Sequence, residues 1–142
     1  MLKIISGIIL SLSILFSLGQ AASAGEKMKV VYHISEEGKA HFALNNVRNH
    51  IKGMGGAENV EIIVVTHGPG LKAFHEMGMD PKLTAKMQSL QGQGVTFGAC
   101  GNTIRAQKIG VEDLAEGMFK IDEGGVVRIA KLQQQGYLYI RP

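Results

Sequence analysis

The sequence predicts one α/β domain: a mainly parallel sheet of four or five strands with helices on both faces. Two patterns alternate along the chain, short apolar runs of strand length and longer stretches whose apolar residues recur every three or four positions. Such alternation implies helical crossovers between parallel strands. The run Ile62-Ile63-Val64-Val65 is unbroken by polar residues, as expected of a strand covered on both faces. A length of 142 residues, 45% of them hydrophobic and 19% charged, fits one folded domain and excludes a largely disordered chain.

Lys29 to Ile34, rich in Val, Tyr and Ile, reads as the first strand. A helix follows from Ala40, with Ala40, Ala43, Leu44, Val47, Ile51 and Met54 on its apolar side, and Gly53, Gly55 and Gly56 end it. Val60 to Thr66 is the second strand, closed by the turn His67-Gly68-Pro69-Gly70. Leu71 to Met77 reads as a short helix stopped by Gly78, and Pro81 opens another that runs to about Leu90. Val95 to Ala99 is the third strand, with Cys100 at its C-terminal edge and a helix from Asn102 or Thr103 to Ile109. Met118 to Ile121 reads as a brief fourth strand. Gly125 to Gln135 reads as a helix with Val126, Ala130 and Leu132 or Ile129 facing inward, and Tyr137 to Ile140 as the last strand.

The first 24 residues stand apart. Lys3 precedes an uncharged apolar run from Ile4 to Leu18, too short for a bilayer span of roughly 20 residues but right for a secretory signal. Ala22-Ser23-Ala24 supplies the small residues a signal peptidase cuts after, so the expected division is a signal peptide at 1–24 and a domain at 25–142. An uncleaved anchor is the alternative. The expected location is periplasmic or secreted, with no membrane attachment once the leader is removed. Taking Lys3 from the 15 basic residues leaves 14 against 12 acidic ones. This balance is mild and the charges are dispersed, which argues against a nucleic-acid partner.

The chain has one cysteine, so no internal disulfide can form. In open parallel sheets ligand sites lie beyond the carboxyl ends of the strands, and Cys100, His33 and His67 all fall there. A thiol just ahead of a helix start feels unpaired N–H groups that favour thiolate. Gly101 is expected to leave the sulfur sterically open, while Asn102 and Thr103 are placed to cap the helix or to hydrogen-bond an anion. His67, Gly68 and His33 complete the candidate binding set. A plain apolar filler role for Cys100 is the structural alternative. Cys100, His67 and His33 lack close ligand spacing, so neither metal nor cofactor is expected, and His41, His50 and His75 are read as solvated residues of helices.

The stretch Ala43-Leu44-Asn45-Asn46-Val47-Arg48-Asn49, the turn Val65-Thr66-His67-Gly68-Pro69-Gly70, the segment Phe97-Gly98-Ala99-Cys100-Gly101-Asn102-Thr103 and the ending Leu132-Gln133-Gln134-Gln135-Gly136-Tyr137-Leu138-Tyr139-Ile140-Arg141-Pro142 together resemble the DsrE/DsrF-like family of sulfur-relay proteins. The resemblance covers about Lys29 to Pro142. It implies a parallel sheet with flavodoxin-like layering, homo- or hetero-oligomers, and a cysteine that accepts sulfane sulfur as a persulfide; Cys100 matches that position. One departure is the leader, since the familiar relay members work in the cytoplasm. The expected function is a sulfur carrier or sulfurtransferase with a small sulfur compound or a protein as donor or acceptor. The alternatives are a non-catalytic oligomeric module that binds a small anion or a protein, and a redox sensor, which would need a resolving thiol the chain lacks.

Overall fold

The computed structural model describes residues 25–142; the expected signal peptide, residues 1–24, lies outside them. Five strands, β1 Met28–Ile34, β2 Val60–Thr66, β3 Thr96–Cys100, β4 Met118–Ile121 and β5 Leu138–Ile140, form one sheet in the order β4-β3-β2-β1-β5. Every pairing is parallel. The helices are α1 Ala40–Gly53, α2 Pro81–Gln91, α3 Gly101–Gln107 and α4 Gly125–Gln134.

Side-chain alternation sorts the sheet into two faces. Val30, Tyr32 and Ile34 of β1, Ile62 and Val64 of β2, and Phe97 and Ala99 of β3 pack with Leu44 and Val47 of α1, Leu83 and Met87 of α2, and Ile104 of α3. Val31, Ile63, Val65 and Ile121 face the other way, against Ile129 and Leu132 of α4 and Tyr137. Three helices therefore cover one face and α4 alone the other. Asp80 starts α2 by accepting hydrogen bonds from the N–H groups of Lys82 (2.7 Å) and Leu83 (3.3 Å), an N-cap that holds Pro81 in the first turn.

The expected short helix after the second strand is instead a 3₁₀ segment, Gly68–Phe74, seated on β1: a side chain at Gly70 would come within 2.8 Å of the Ile34 carbonyl oxygen. The inward side of α4 differs from expectation in part: Ile129 and Leu132 face inward as read, Val126 and Ala130 do not. Gly125, Ile129 and Leu132 are buried, spaced four and three along the helix, while Val126 is 68% exposed and Ala130 is exposed. This helix carries two apolar stripes, and hydropathy alone does not say which one meets the sheet. Among the described residues no helix is long and apolar enough to cross a membrane.

Candidate functional site

The connections after β3 and β4 diverge to opposite faces, α3 to the three-helix side and α4 to the other. In open sheets such a divergence opens a crevice at the C-terminal edge. Cys100 sits there, and β3 passes into α3 with no intervening loop: Cys100 has extended backbone angles (φ −61°, ψ 118°) and Gly101 begins the helix. Glycine is required at this corner, because a Cβ at Gly101 would lie 2.8 Å from the Ile121 carbonyl oxygen of the neighbouring strand.

By alternation the Cys100 side chain falls on the α4 face. There the N–H of Gly125, the first residue of α4, donates to Cys100 Sγ at 3.1 Å. A side chain at Gly125 would meet Cys100 Cβ, His67 Cβ and Val65 Cγ1, each at 3.3 Å, so glycine lets the helix start come this close. From α3 the sulfur receives no capping bond of regular geometry. The N–H groups of Asn102 and Thr103 and the Thr103 hydroxyl nevertheless stand beside it. Burial pushes the thiol up, but the Gly125 N–H, followed by the Thr103 and Asn102 donors, outweighs burial and leaves it below the ordinary cysteine value.

The expectation of an open sulfur is not met. Cys100 is 5% exposed, so only a narrow approach remains. Thr103 is buried, and its Oγ1 accepts a 2.8 Å hydrogen bond from the N–H of Gly68, whose φ of +55° suits glycine. Asn102 contributes through its backbone; its exposed side chain accepts a hydrogen bond from Arg105 instead of turning to the sulfur.

His33 and His67 come together as expected of two residues at adjacent strand ends. Their rings meet edge to face with centroids 4.5 Å apart. His33 Nδ1 lies 2.7 Å from the hydroxyl of Tyr139 on β5. Burial first, then the charges of His67 and Arg141, hold the His33 pKa down to about 4; burial and Arg141 lower His67 too. Both rings are thus neutral near pH 7. Arg141 is fixed at the rim by Ser35 Oγ (2.9 Å) and Glu36 Oε1 (3.2 Å). Among the described residues no three His, Cys, Asp or Glu side chains converge to hold a metal ion.

The residues named from the sequence therefore fall into two neighbouring groups, Cys100 with Thr103 and Gly68, and His33 with His67. Gly125 and Tyr139 were not foreseen. Gly125 stands 25 positions from Cys100 in the chain, and its only trace in the sequence is the Gly124-Gly125 pair ahead of a helix. His41 and His50 lie on α1, but His50 Nδ1 is 3.0 Å from the Tyr32 hydroxyl rather than simply solvated. His75 is not helical: it follows the 3₁₀ segment, bridges Leu114 across an isolated β-pair, and places Nε2 2.8 Å from Gln107 Oε1.

Comparison with known proteins agrees with this architecture. The model of the DsrE/DsrF-like family matches residues 21–142. No curated protein matches the chain. Among solved structures, the protein MTH1491 from Methanobacterium thermoautotrophicum, described as of unknown function, is 36% identical with a TM-score of 0.72, over 82% of this chain and 100% of that one. The ychN protein from E. coli is 16% identical with a TM-score of 0.64, over 81% of this chain and 99% of that one, a likeness of fold alone.

Proposed function

The chain belongs to the DsrE/DsrF-like family, which is generally linked to sulfur relay, and from that premise we propose that Cys100 carries or transfers sulfane sulfur as a persulfide. The observation that supports this reading is the meeting of donors on one sulfur: the Gly125 N–H at 3.1 Å from the start of α4, with the Asn102 and Thr103 groups of α3 beside it. Backbone donors held at helix starts stabilise an anion without reorganising. A persulfide is a more acidic sulfur species than a thiol, so the same donors favour the loaded state.

The step balances without a further reagent. The Cys100 thiolate attacks the outer sulfur of a donor such as thiosulfate; a new S–S bond forms, the donor's S–S bond breaks, and sulfite leaves with the electron pair. A protein persulfide as donor would release its own thiolate in the same way. With Cys100 only 5% exposed, a slender inorganic donor or the tip of a persulfide side chain fits the approach better than a bulky disulfide. His33 and His67, neutral near pH 7, would let an anionic donor in without binding it tightly. Our reading also places the protein outside the cytoplasm, and makes it a homo-oligomer through the thinly covered α4 face, where Val126, Val127 and Tyr139 are exposed.

The test is intact mass after incubation with thiosulfate or polysulfide. We expect a gain of about one sulfur atom that is abolished in Cys100→Ser; a wild type that gains none contradicts the reading. The small exposure of Cys100 favours a second reading, a non-catalytic module that binds an anion or a protein at the same edge. It predicts slow alkylation and an ordinary thiol pKa of roughly 8.5.

A further inference from the structure

The mechanism above leaves one polar chain unused, and it runs from His75 to Thr103, three residues beyond Cys100. His75 Nε2 lies 2.8 Å from Gln107 Oε1, Gln107 Nε2 donates to the Gly68 carbonyl at 3.1 Å, and the Gly68 N–H donates to Thr103 Oγ1 at 2.8 Å. Donor and acceptor chemistry fixes its direction. The Gly68 carbonyl can only accept, so the group of Gln107 facing it is the amide NH₂. The carboxamide oxygen must then face His75, whose Nε2 must carry a hydrogen. At the other end the Gly68 N–H can only donate, so Thr103 Oγ1 accepts and its own proton is left for another partner. Thr103 is buried, and Cys100 is the residue just ahead of its helix.

Thr103 and Gln107 are four residues apart on α3 and so share one side of that helix. They grip Gly68 from both ends, one holding its N–H and the other its carbonyl. We propose that Gln107 is a positioning residue that locks Gly68 and thereby turns the Thr103 hydroxyl toward Cys100, with His75 fixing the orientation of the Gln107 amide. The inference deepens the reading of Cys100 as a working thiolate and rests on it. It assigns Gln107 and His75, neither of which touches the sulfur, a part in setting thiolate reactivity.

The experiment follows the rate of Cys100 alkylation against pH, with the thermal midpoint measured in parallel. Gln107→Leu is expected to raise the apparent thiol pKa and to slow alkylation at neutral pH by about two- to tenfold, the span of one typical hydrogen bond. Thr103→Val should do the same, and the two changes together should do little more than either alone, because they act on one chain. His75→Phe, which leaves α3 untouched, should give a smaller shift in the same direction and serves if Gln107→Leu fails to fold. A lowered thermal midpoint with an unchanged thiol profile in the folded variants, or effects of Gln107→Leu and Thr103→Val that simply add, would overturn the proposal. Failure of the wild type to take up sulfur while the variants still shift the thiol profile would count against persulfide chemistry and leave this positioning role standing.

Discussion

The two faces of the sheet are built for different ends. On the three-helix side, Phe97, Leu44, Leu71, Phe74 and Val64 are wholly buried hydrocarbon, and loops and helices seal the sheet. On the α4 side the apolar cluster is small, and the strand ends carry His33, His67 and Cys100 in place of aliphatic residues. Aliphatic burial at roughly 25 cal/mol per Å² is concentrated on the first face, which can hold the fold while the second carries polar groups and leaves apolar residues at the surface. The contrast teaches that stability and chemistry are separated across the thickness of one sheet, and that the start of α4 joins them by placing Gly125 against the sulfur.

Breaking the first face should cost most. Phe97→Ala is expected to destabilise by about 3–5 kcal/mol in denaturant unfolding, with the alkylation profile of Cys100 in the folded protein largely unchanged. A large change in that profile would show that the faces are not independent.

The histidine pair on the second face should make stability depend on pH. The folded pKa of His33 is lowered to about 4 against an ordinary 6.5, so the unfolded chain binds more protons between those values. Stability is full above about pH 6.5 and falls as pH drops through 4, by at most about 3.5 kcal/mol at about 1.4 kcal/mol per pKa unit. Acid unfolding should show this slope, and His33→Gln should flatten it.

Gly125→Ala sharpens the comparison at the junction of the faces. Its Cβ contacts at 3.3 Å are tight enough to push the start of α4 off Cys100 and His67. We expect a loss of about 1 kcal/mol, in the lower range for crowding a packed site, together with a raised apparent thiol pKa. Smallest of all should be the effect of Val126→Lys with Val127→Lys on the stability of a single copy, within about 0.5 kcal/mol. The same pair should lower the assembly state in sedimentation if copies meet through the α4 face, and an unchanged assembly state removes that face from the account.

Much of the frame was legible because each pattern was local. The spacing of Ala40, Ala43, Leu44, Val47 and Ile51 and the glycines beyond them locate α1, and Met118 to Ile121 is β4 as read. The inward side of α4 was not legible, because Val126 and Ala130 are as apolar as Ile129 and only the sheet beneath decides between them. At the site, Cys100, His67 and His33 could be placed at strand ends, and Gly68 and Thr103 just beyond them, from the parallel topology alone. The Gly125 contact, the partner of His75 and the near closure of the sulfur depend on packing between distant segments, which no local spacing records.

The most direct test of the central claim is the pH dependence of Cys100 alkylation by a small reagent in the folded wild-type protein. The account predicts a midpoint clearly below the free-thiol value of roughly 8.5, rising when Gly125 is changed to Ala. A midpoint at or above that value, insensitive to Gly125, would mean that burial outweighs the converging N–H groups and that the sulfur is packing material.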